Sequence, residues 1–394
     1  MTYTREEAAP RLLDAVAELA DSGLIARTWG NLSMRLDGGS FLITPSGRAY
    51  ETLSGKDLVV VHLDGSLTAE GIWPPSSEKG LHAALYRLHP EVQCIVHTHQ
   101  RNASAIGVGG RSAVFAAGGT ASPTAAAPAG PAGQTLPPVA VSAEERQALG
   151  PDAPCADYGM SATPELAAAA AAASAAHPQS RAILLPHHGA VCLGADAAQA
   201  FRTAYTLEQV CGRLYETLCG TAPEEPQAHD IRAVPAALQS RLPDGGCWLQ
   251  ACTPAVLACS RRGREVPAYL DDLAMIGGIS TLCVEGPSRT ALARALSEDR
   301  DAVLLRDAGA LCRGAVRAEA EALCTVLEKN CCAALLAESR GWDPLPPETA
   351  RRERRFYVDS YAGRKEQREG AAPNASQEKN AGQKQRSAGQ AQTE

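Results

Sequence analysis

EVQCIVHTH, residues 91–99, has the pattern of a short buried strand that ends in two histidines. Residues 92–96 form an apolar, β-branched run, which predicts a strand. Residues i and i+2 of a strand lie on the same face, so we expect the imidazoles of His97 and His99 side by side. Such a pair can bind one metal ion, and Zn²⁺ then needs a third and a fourth ligand from elsewhere. Glu78 and His188 are the candidates.

Strand, helix and turn signals alternate on both sides of this stretch, which predicts an α/β sandwich and not a helical bundle. Amphipathic or capped helices are expected at 4–22, 77–88, 164–176 and from Asp196 to about Leu218. Strands are expected in FLITPSG and LVVVHLDGSL, and AILLPHHGAVCLG predicts two short strands around a tight turn. Residues 115–140 are rich in Ala, Gly and Pro and predict a long mobile loop.

Composition excludes several classes of function. The chain has 394 residues, a net charge of −7 and no basic cluster, which argues against nucleic acid as a partner. Its 13 cysteines are an odd number and form no CxxC pair, so we expect free thiols in a reducing cytoplasm. The first residues, TYTREEAAPRLL, do not have the pattern of a signal peptide. The alanine run 167–176 is too short to span a bilayer, so no membrane partner is expected.

Four motifs occur in a fixed order: GNLS at 30–33, TPSG at 44–47, PSSE at 75–78 with HTH at 97–99, and HHG at 187–189. In this order they resemble the class II aldolase/adducin family over about residues 5–215. The resemblance implies a three-layer sandwich in which helices flank a central mixed or antiparallel sheet. It also implies a site for Zn²⁺, or another divalent metal, with the ligands His97, His99, His188 and Glu78.

The resemblance assigns further roles to residues of these motifs. Glu78 is implied to be the catalytic base, although a capping carboxylate is also favoured at a helix start. His188 is the implied ligand of the histidine pair because it directly precedes glycine, and His187 lies beside the ligand set. The implied phosphate-binding residues, each of which also fits plain turn chemistry, are Gly30, Asn31, Ser46, Gly47, Ser76 and Ser77. His62, His82 and His89 are interpreted as surface or packing residues.

The implied activity is that of a zinc-dependent aldolase. It cleaves or forms a C–C bond in a sugar phosphate, giving a dihydroxyacetone-phosphate-type product and an aldehyde through an enediolate that the metal stabilises. Epimerases and dehydratases of the same family, and the non-catalytic structural domain of adducin, are the alternatives. The sequence assigns no general acid, because Tyr158 is the only tyrosine between HTH and HHG and is not at the usual acid position. The family also implies a homotetramer with active sites between neighbouring subunits, so we expect a homo-oligomer, and the free cysteines favour a cytoplasmic location.

The second half of the chain resembles part of the first. Residues 302–332 align with 182–212 at a constant shift of 120, and a weaker match places VPAYLDDLAMIG over VHTHQRNASAIG. In that alignment Pro267, Tyr269 and Ala308 replace His97, His99 and His188. We therefore predict a catalytic domain at 1–225, a linker at 226–236 and a degenerate, metal-free domain of similar fold at 237–360. A disordered tail is predicted at 361–394. A tandem copy would occupy the place of a neighbouring subunit, which predicts a smaller assembly such as a dimer.

Overall fold

The computed structural model describes residues 3–25, 29–68, 73–117, 135–221, 224–296 and 300–359. The chain divides after Arg354 into two compact units, and the first contains all the sheets described below. Its strands are β1 (Gly30–Leu36), β2 (Ser40–Ile43), β3 (Val59–His62), β4 (Cys94–Thr98), β5 (Ala113–Ala117), β6 (Val139–Val141), β7 (Asp152–Ala153), β8 (Ala182–Leu185), β9 (Gly189–Gly194), β10 (Ile231–Ala233), β11 (Cys247–Ala251), β12 (Val266–Pro267), β13 (Ser280–Val284), β14 (Ala302–Leu305) and β15 (Gly309–Gly314). Its helices are α1 (Arg5–Asp21), α2 (Lys79–Leu88), α3 (Arg101–Gly107), α4 (Ala143–Leu149), α5 (Pro164–Ala176), α6 (Ala197–Cys219), α7 (Ala236–Gln239), α8 (Pro254–Arg262), α9 (Asp271–Ile276), α10 (Arg289–Ala295) and α11 (Arg317–Arg340), and α12 (Pro347–Tyr357) crosses the unit boundary.

The first sheet is antiparallel throughout, with the strand order β3-β2-β1-β4-β9-β8. Alternate residues of β4 enter different cores: Cys94 and Val96 pack with α1, α3 and α6, whereas Ile95 packs with α2 and α5. Helices therefore cover both faces of the sheet. The predicted three-layer sandwich is confirmed.

Local signals explain where the main helices begin and end. Thr4 and Glu7 form a capping box at α1, which satisfies two backbone N–H groups at its start. Asp196 caps α6 by accepting a hydrogen bond from the backbone N–H of Gln199, and Gly220 ends this helix with a φ of 79°. Among the described residues, no helix is both long and apolar enough to cross a membrane.

The second sheet has the order β10-β11-β15-β14-β13-β12 and repeats the local architecture of the first. β14, β15 and α11 begin 120 residues after β8, β9 and α6. The strand pairs also correspond, since Leu184 faces Ala190 and Leu304 faces Ala310. The turn between the strands has a positive φ in both places, 60° at His187 and 59° at Asp307. The segments predicted to match at this shift therefore adopt the same strand–turn–strand–helix structure.

The weaker alignment of the second half was wrong. β15 pairs with β11, so Gln250 faces Leu311 as His97 faces Val191 in the first sheet. Gln250 and Cys252 thus correspond to the two histidines of HTH, whereas Pro267 belongs to an edge strand that pairs with β13. The alignment was misleading because residues 266–277 share only the spacing of their apolar residues with residues 96–107. Ala308 keeps its predicted correspondence to His188, and its carbonyl accepts a hydrogen bond of 2.8 Å from the Gln250 side chain.

Two segments predicted as a linker and a loop contain residues of short strands. The predicted linker 226–236 contains β10, which pairs with β11. The predicted loop 115–140 is shorter at both ends, because the apolar residues Phe115 and Val139 are buried in paired strands, β5 and β6. Residues 118–134, in the middle of that loop, and 360–394, which include the predicted tail, lie outside the described residues.

One apolar core runs through both halves of the first unit. It includes Leu12 of α1, Leu207 of α6, Leu249 of β11 and Leu327 of α11, all almost fully buried. The helix α11 packs on α8 and β15 of the second half and also on α3 of the first. The two sheets are therefore joined by shared packing, while the domain limits at 225 and 237 stay a prediction.

Candidate metal centre

β4 places His97 and His99 as its sequence predicts. His97 is fully buried, the side chain of His99 is 8% exposed, and their ring centroids lie 4.9 Å apart. The Nε2 atoms of the two rings are separated by 3.0 Å. β4 and the residue that directly follows it therefore present two imidazole nitrogens to one point.

The turn between β8 and β9 brings His188 to the same point. β9 pairs with β4, which places the turn beside Thr98. Gly189 permits this approach, because a Cβ at that position would lie only 2.2 Å from the Thr98 carbonyl oxygen. His188 Nε2 lies 3.0 Å from His97 Nε2. His187 is outside the cluster, where its Nδ1 atom bonds to the carbonyl of Tyr269 at 2.8 Å.

Glu78 precedes α2 and completes the cluster. Its Oε2 atom lies 3.1 Å from His97 Nε2, and its Oε1 atom lies 3.0 Å from His188 Nε2. The side-chain amide of Asn31 donates to Oε2 at 2.8 Å and so fixes the carboxylate. The four residues His97, His99, His188 and Glu78 each offer one ligand atom within 4.8 Å of the others.

This arrangement fits a divalent metal ion. Zn–N bonds of about 2.0–2.1 Å in a tetrahedron place ligand atoms about 3.3 Å apart, close to the 3.0 Å separations of the imidazole nitrogens.

The net charge of the buried groups around the cluster also favours a divalent cation. With the imidazoles neutral, as ligation requires, Glu78, Asp271 and Asp272 carry three negative charges and Lys329 one positive charge, all at most 7% exposed. The resulting charge of about −2 in a buried site would be neutralised by a dication.

The electrostatics of the four ligands follow from burial and from their neighbours. Burial lowers the pKa of His97 and lowers that of His99 well below its usual value, and the proximity of His188 adds to both effects. Burial would raise the pKa of Glu78, but the imidazoles of His97 and His188, when protonated, together lower it well below its usual value. Burial would likewise lower the pKa of His188, which Asp271 and Glu78 raise well above its usual value. Glu78 is therefore an ionised carboxylate at neutral pH.

Sequence reasoning missed the contacts on the other side of the imidazoles. His97 Nδ1 bonds to the carbonyl of Ala190 at 2.9 Å. His188 Nδ1 bonds to the Asp271 carboxylate, and His99 Nδ1 lies 3.6 Å from the Asp272 carboxylate. Both aspartates come from the second half of the chain. No sequence motif identifies the two aspartates as part of the site. Asp271 is 83 residues from His188 along the chain, in a segment without a recognisable functional pattern.

The structure brings most of the proposed phosphate-binding residues onto two adjoining loops. The backbone N–H of Ser46 donates to Pro74 at 3.0 Å, and that of Ser76 donates to Thr44 at 3.1 Å. Gly47 and Ser77 belong to the same two loops, and Gly47 is exposed with a φ of 70°.

Gly30 and Asn31 lie instead on β1, opposite Thr98 and His97. The Asn31 amide bonds to Glu78 and also to the ring of His82. His82 is fully buried, and burial lowers its pKa to about 3, so its ring is neutral. The histidine interpreted as a packing residue thus also supports the amide that holds Glu78.

A cavity of about 690 Å³ lies between α2 and α5. Ser77, Glu78 and Lys79 line one side, and Thr163 and Pro164 line the other. None of the three histidines lines it, so this cavity reaches the ligand cluster only at Glu78.

Known proteins are similar to parts of this chain. The chain is 43% identical over 96 residues to the L-ribulose-5-phosphate 4-epimerase UlaF of Salmonella paratyphi B, which is 24% of this chain and 42% of that protein. The match therefore spans less than half the length of this relative. Among solved structures, an L-fuculose 1-phosphate aldolase is 25% identical with a TM-score of 0.42, over 53% of this chain and 84% of that one. The enzyme of the same name from Thermus thermophilus is 26% identical with a TM-score of 0.40, over 53% and 93%.

Both TM-scores are below 0.5, so the assignment of the chain depends on its match to a sequence family. Residues 10–215, just over half of the 394 residues, match the family described as Class II Aldolase and Adducin N-terminal domain. The four ligand residues all lie in the matched region. The chain belongs to the class II aldolase and adducin family.

Proposed function

We propose that this protein is a zinc-dependent aldolase that cleaves or forms a C–C bond in a sugar phosphate. The observation that carries the proposal is the cluster of three imidazoles and one carboxylate, with Glu78 oxygens 3.1 Å and 3.0 Å from two of the imidazole nitrogens. A structural domain has no need for four such ligands in a buried cluster. The non-catalytic reading of the first half is therefore disfavoured.

Glu78 is the group that moves the proton. Its lowered pKa favours the ionised carboxylate, whose Oε1 atom lies 3.0 Å from His188 Nε2. With a metal on His188 Nε2, that nitrogen would carry no proton, and Oε1 could accept a proton from a substrate carbon or hydroxyl while Asn31 holds the other oxygen. Bound zinc supplies a Lewis acid that polarises the substrate carbonyl.

The phosphate group is proposed to bind at Ser46, Gly47, Ser76 and Ser77, with Gly30 and Asn31 beside them. The backbone N–H groups of Ser46 and Ser76 already donate within these two adjoining loops, so the serine hydroxyls and the backbone at Gly47 are the groups proposed to hydrogen-bond to the anion. The exposed Gly47 leaves the backbone open to such an approach, since no atom lies within 4 Å of a Cβ built there. Asn31 has its amide on Glu78, so its role includes orienting the base.

The proton donor to the leaving group remains without an assigned residue. Tyr158 donates a hydrogen bond to Glu353 at 3.3 Å, and burial raises its pKa. Its ring packs against His187, outside the ligand cluster, with centroids 5.9 Å apart. Tyr158 is therefore engaged in a contact with the second half of the chain and not directed at the ligands.

An epimerase acting at C4 of a pentulose phosphate is the second candidate, because the relative at 43% identity carries that name. Zinc-loaded full-length protein should be assayed with a panel of ketose 1- and 5-phosphates. Release of an aldehyde supports the aldolase, and formation of an epimer without aldehyde supports the epimerase. Neither product with any substrate, from protein shown to hold zinc, would contradict both.

We further propose a cytoplasmic homo-oligomer whose partner is a small sugar phosphate, and a second half that carries no metal and supports the first. The packing of α11 on α3 is consistent with a second half that occupies the place of a neighbouring subunit. Light scattering on the full chain tests the assembly. A dimer is expected, and a monodisperse monomer would contradict the homo-oligomer.

A further inference from the structure

We propose that the second half of the chain is part of the metal centre, where Asp271 and Asp272 are positioning residues for His188 and His99. The inference rests on the proposed metal site of the first half and adds to it an outer layer from elsewhere in the chain. Both aspartates are 1% exposed and lie at the start of α9.

Asp271 is fastened to the turn that carries His188. Its carboxylate bonds to His188 Nδ1, and its backbone N–H donates to the carbonyl of His187 at 2.9 Å. The Nδ1 atom of His187 bonds in turn to the carbonyl of Tyr269 at 2.8 Å. These contacts fix the orientation of the His188 ring, with Nδ1 on Asp271 and Nε2 directed at the other residues of the cluster.

Asp272 faces the second imidazole. Its Oδ2 atom lies 3.6 Å from His99 Nδ1 and is bonded by the Lys329 ammonium. Lys329 also donates to the backbone carbonyl of His99 at 3.2 Å. Lys329 therefore contacts both the Asp272 carboxylate and the backbone of His99, the residue whose ring that carboxylate faces.

The segment that carries the two aspartates is held by α11. Asn330, which is fully buried, accepts hydrogen bonds from the backbone N–H groups of Tyr269 at 2.8 Å and Leu270 at 3.1 Å. Its amide also donates to the carbonyl of Pro267 at 3.1 Å. Since Lys329 and Asn330 are adjacent on one helix, the position of the carboxylates depends on the folded second half.

An acceptor at Nδ1 determines what the ring can do at Nε2. It keeps the proton on Nδ1, leaves the Nε2 lone pair for the metal and raises the basicity of the ligand. Removing such a partner typically lowers metal affinity by about 10–100-fold. The same two carboxylates also supply two of the three buried negative charges that a dication would neutralise.

The test uses full-length Asp271→Asn and Asp272→Asn, which keep the side-chain shape and remove the charge. Zinc affinity is measured by competition with a chromophoric chelator, and the ligand field is measured from the visible spectrum of Co²⁺-substituted protein. We expect Asp271→Asn to bind zinc roughly 10–100-fold more weakly and to shift the Co²⁺ bands. Asp272→Asn should change both in the same direction by less, because its carboxylate lies 3.6 Å from His99 Nδ1 and acts through its charge and not through a hydrogen bond. A merely structural role would not move these bands in a chain that stays folded by circular dichroism.

Glu328→Gln is the matched control. Glu328 is a buried carboxylate of the same half, 3% exposed, but it accepts from the backbone of Ala255 and Val256 at 3.1 Å and 3.0 Å. It should leave zinc affinity and the Co²⁺ spectrum unchanged. If Asp271→Asn does not fold, zinc affinity and the Co²⁺ spectrum of Asp272→Asn still test the inference, because Asp272 faces His99 and not His188.

Wild-type affinity and an unchanged Co²⁺ spectrum in a folded aspartate variant would overturn the inference and leave the metal centre of the first half standing. An equal loss in Glu328→Gln would also overturn it, because a general effect of the second half would then be responsible. Failure of the wild-type chain to bind zinc or cobalt would instead contradict the proposed function itself. The two failures are therefore distinguishable.

Discussion

The proposed base, Glu78, does not use its side chain to cap the helix that follows it. The carboxylate instead lies between two imidazoles and an amide. A residue that only stabilised the helix would turn toward the backbone N–H groups of α2.

Glu78→Gln should therefore separate metal binding from turnover. The three imidazoles remain, so most of the zinc should be retained, while loss of the base should lower kcat by about 10²–10⁴-fold. Zinc per chain and kcat are measured on the same preparation. Wild-type turnover in a zinc-loaded variant would remove Glu78 from the mechanism.

Glu353 provides a prediction on pH. Burial, together with the charge of Asp271, raises the pKa of Glu353 to about 7, whereas an unperturbed glutamate has a value of about 4.3. Between these two values the folded state binds a proton that the unfolded state has lost. The free energy of unfolding should therefore fall as pH rises through this window, by up to about 1.4 kcal/mol per pH unit from this group.

Chemical denaturation at pH 5 and pH 7 measures this contribution. Glu353→Gln should reduce the fall in stability between the two pH values, and Glu348→Gln, an exposed change on the same helix, should not. An identical pH dependence in Glu353→Gln and the wild type would show that the carboxyl group is not responsible.

At the scale of single residues, the sequence predicts which four side chains converge but not the groups that surround them. His97, His99, His188 and Glu78 lie in short motifs whose local structure fixes their direction, namely a strand end, a tight turn and a helix start. Asp271 and Asp272 could not be predicted, because their position depends on packing between α11 and the first half. Contacts between segments so distant in sequence leave no local pattern.

The turn between β8 and β9 is the element on which the site depends most closely. Gly189→Ala would place a Cβ 2.2 Å from the carbonyl oxygen of Thr98, the residue between His97 and His99 in the chain. The backbone must shift, with an overpacking cost of about 1–3 kcal/mol, and we expect zinc affinity to fall with it. Urea denaturation and chelator competition measure the two effects.

Gly55→Ala is the control for this change, since its Cβ would meet only an ordinary contact of 3.5 Å with Ala9. Unchanged stability and zinc affinity in Gly189→Ala would show that the close approach of the turn to β4 is not required.

Long amphipathic elements were predictable and short edge strands were not. α6 was predicted to end at about Leu218 and ends at Cys219, because Asp196 and Gly220 mark its two ends. β10 was missed because three residues within a Pro- and Ala-rich segment carry no periodic pattern, and the strand forms only through pairing with β11. The same reason explains the wrong alignment of β12, which has two residues.

At the scale of the whole molecule, the two halves share one core and one candidate site. The predicted catalytic domain expressed alone, residues 1–225, would lose the packing of α11 on α3 and both aspartates. We expect this fragment to aggregate or to bind zinc more weakly than the full chain. Size-exclusion chromatography with zinc analysis measures both properties. A soluble fragment with full zinc occupancy and full activity would refute a supporting role for the second half.

The metal content of purified full-length protein after incubation with Zn²⁺ and removal of free ions tests the central claim most directly. The geometry predicts about one zinc per chain in the wild type, because four ligands converge in one buried cluster. His97→Ala and His188→Ala should hold little or none while remaining folded by circular dichroism, since two imidazoles do not hold zinc firmly. A folded wild-type chain without zinc, or full occupancy in either histidine variant, would contradict the account.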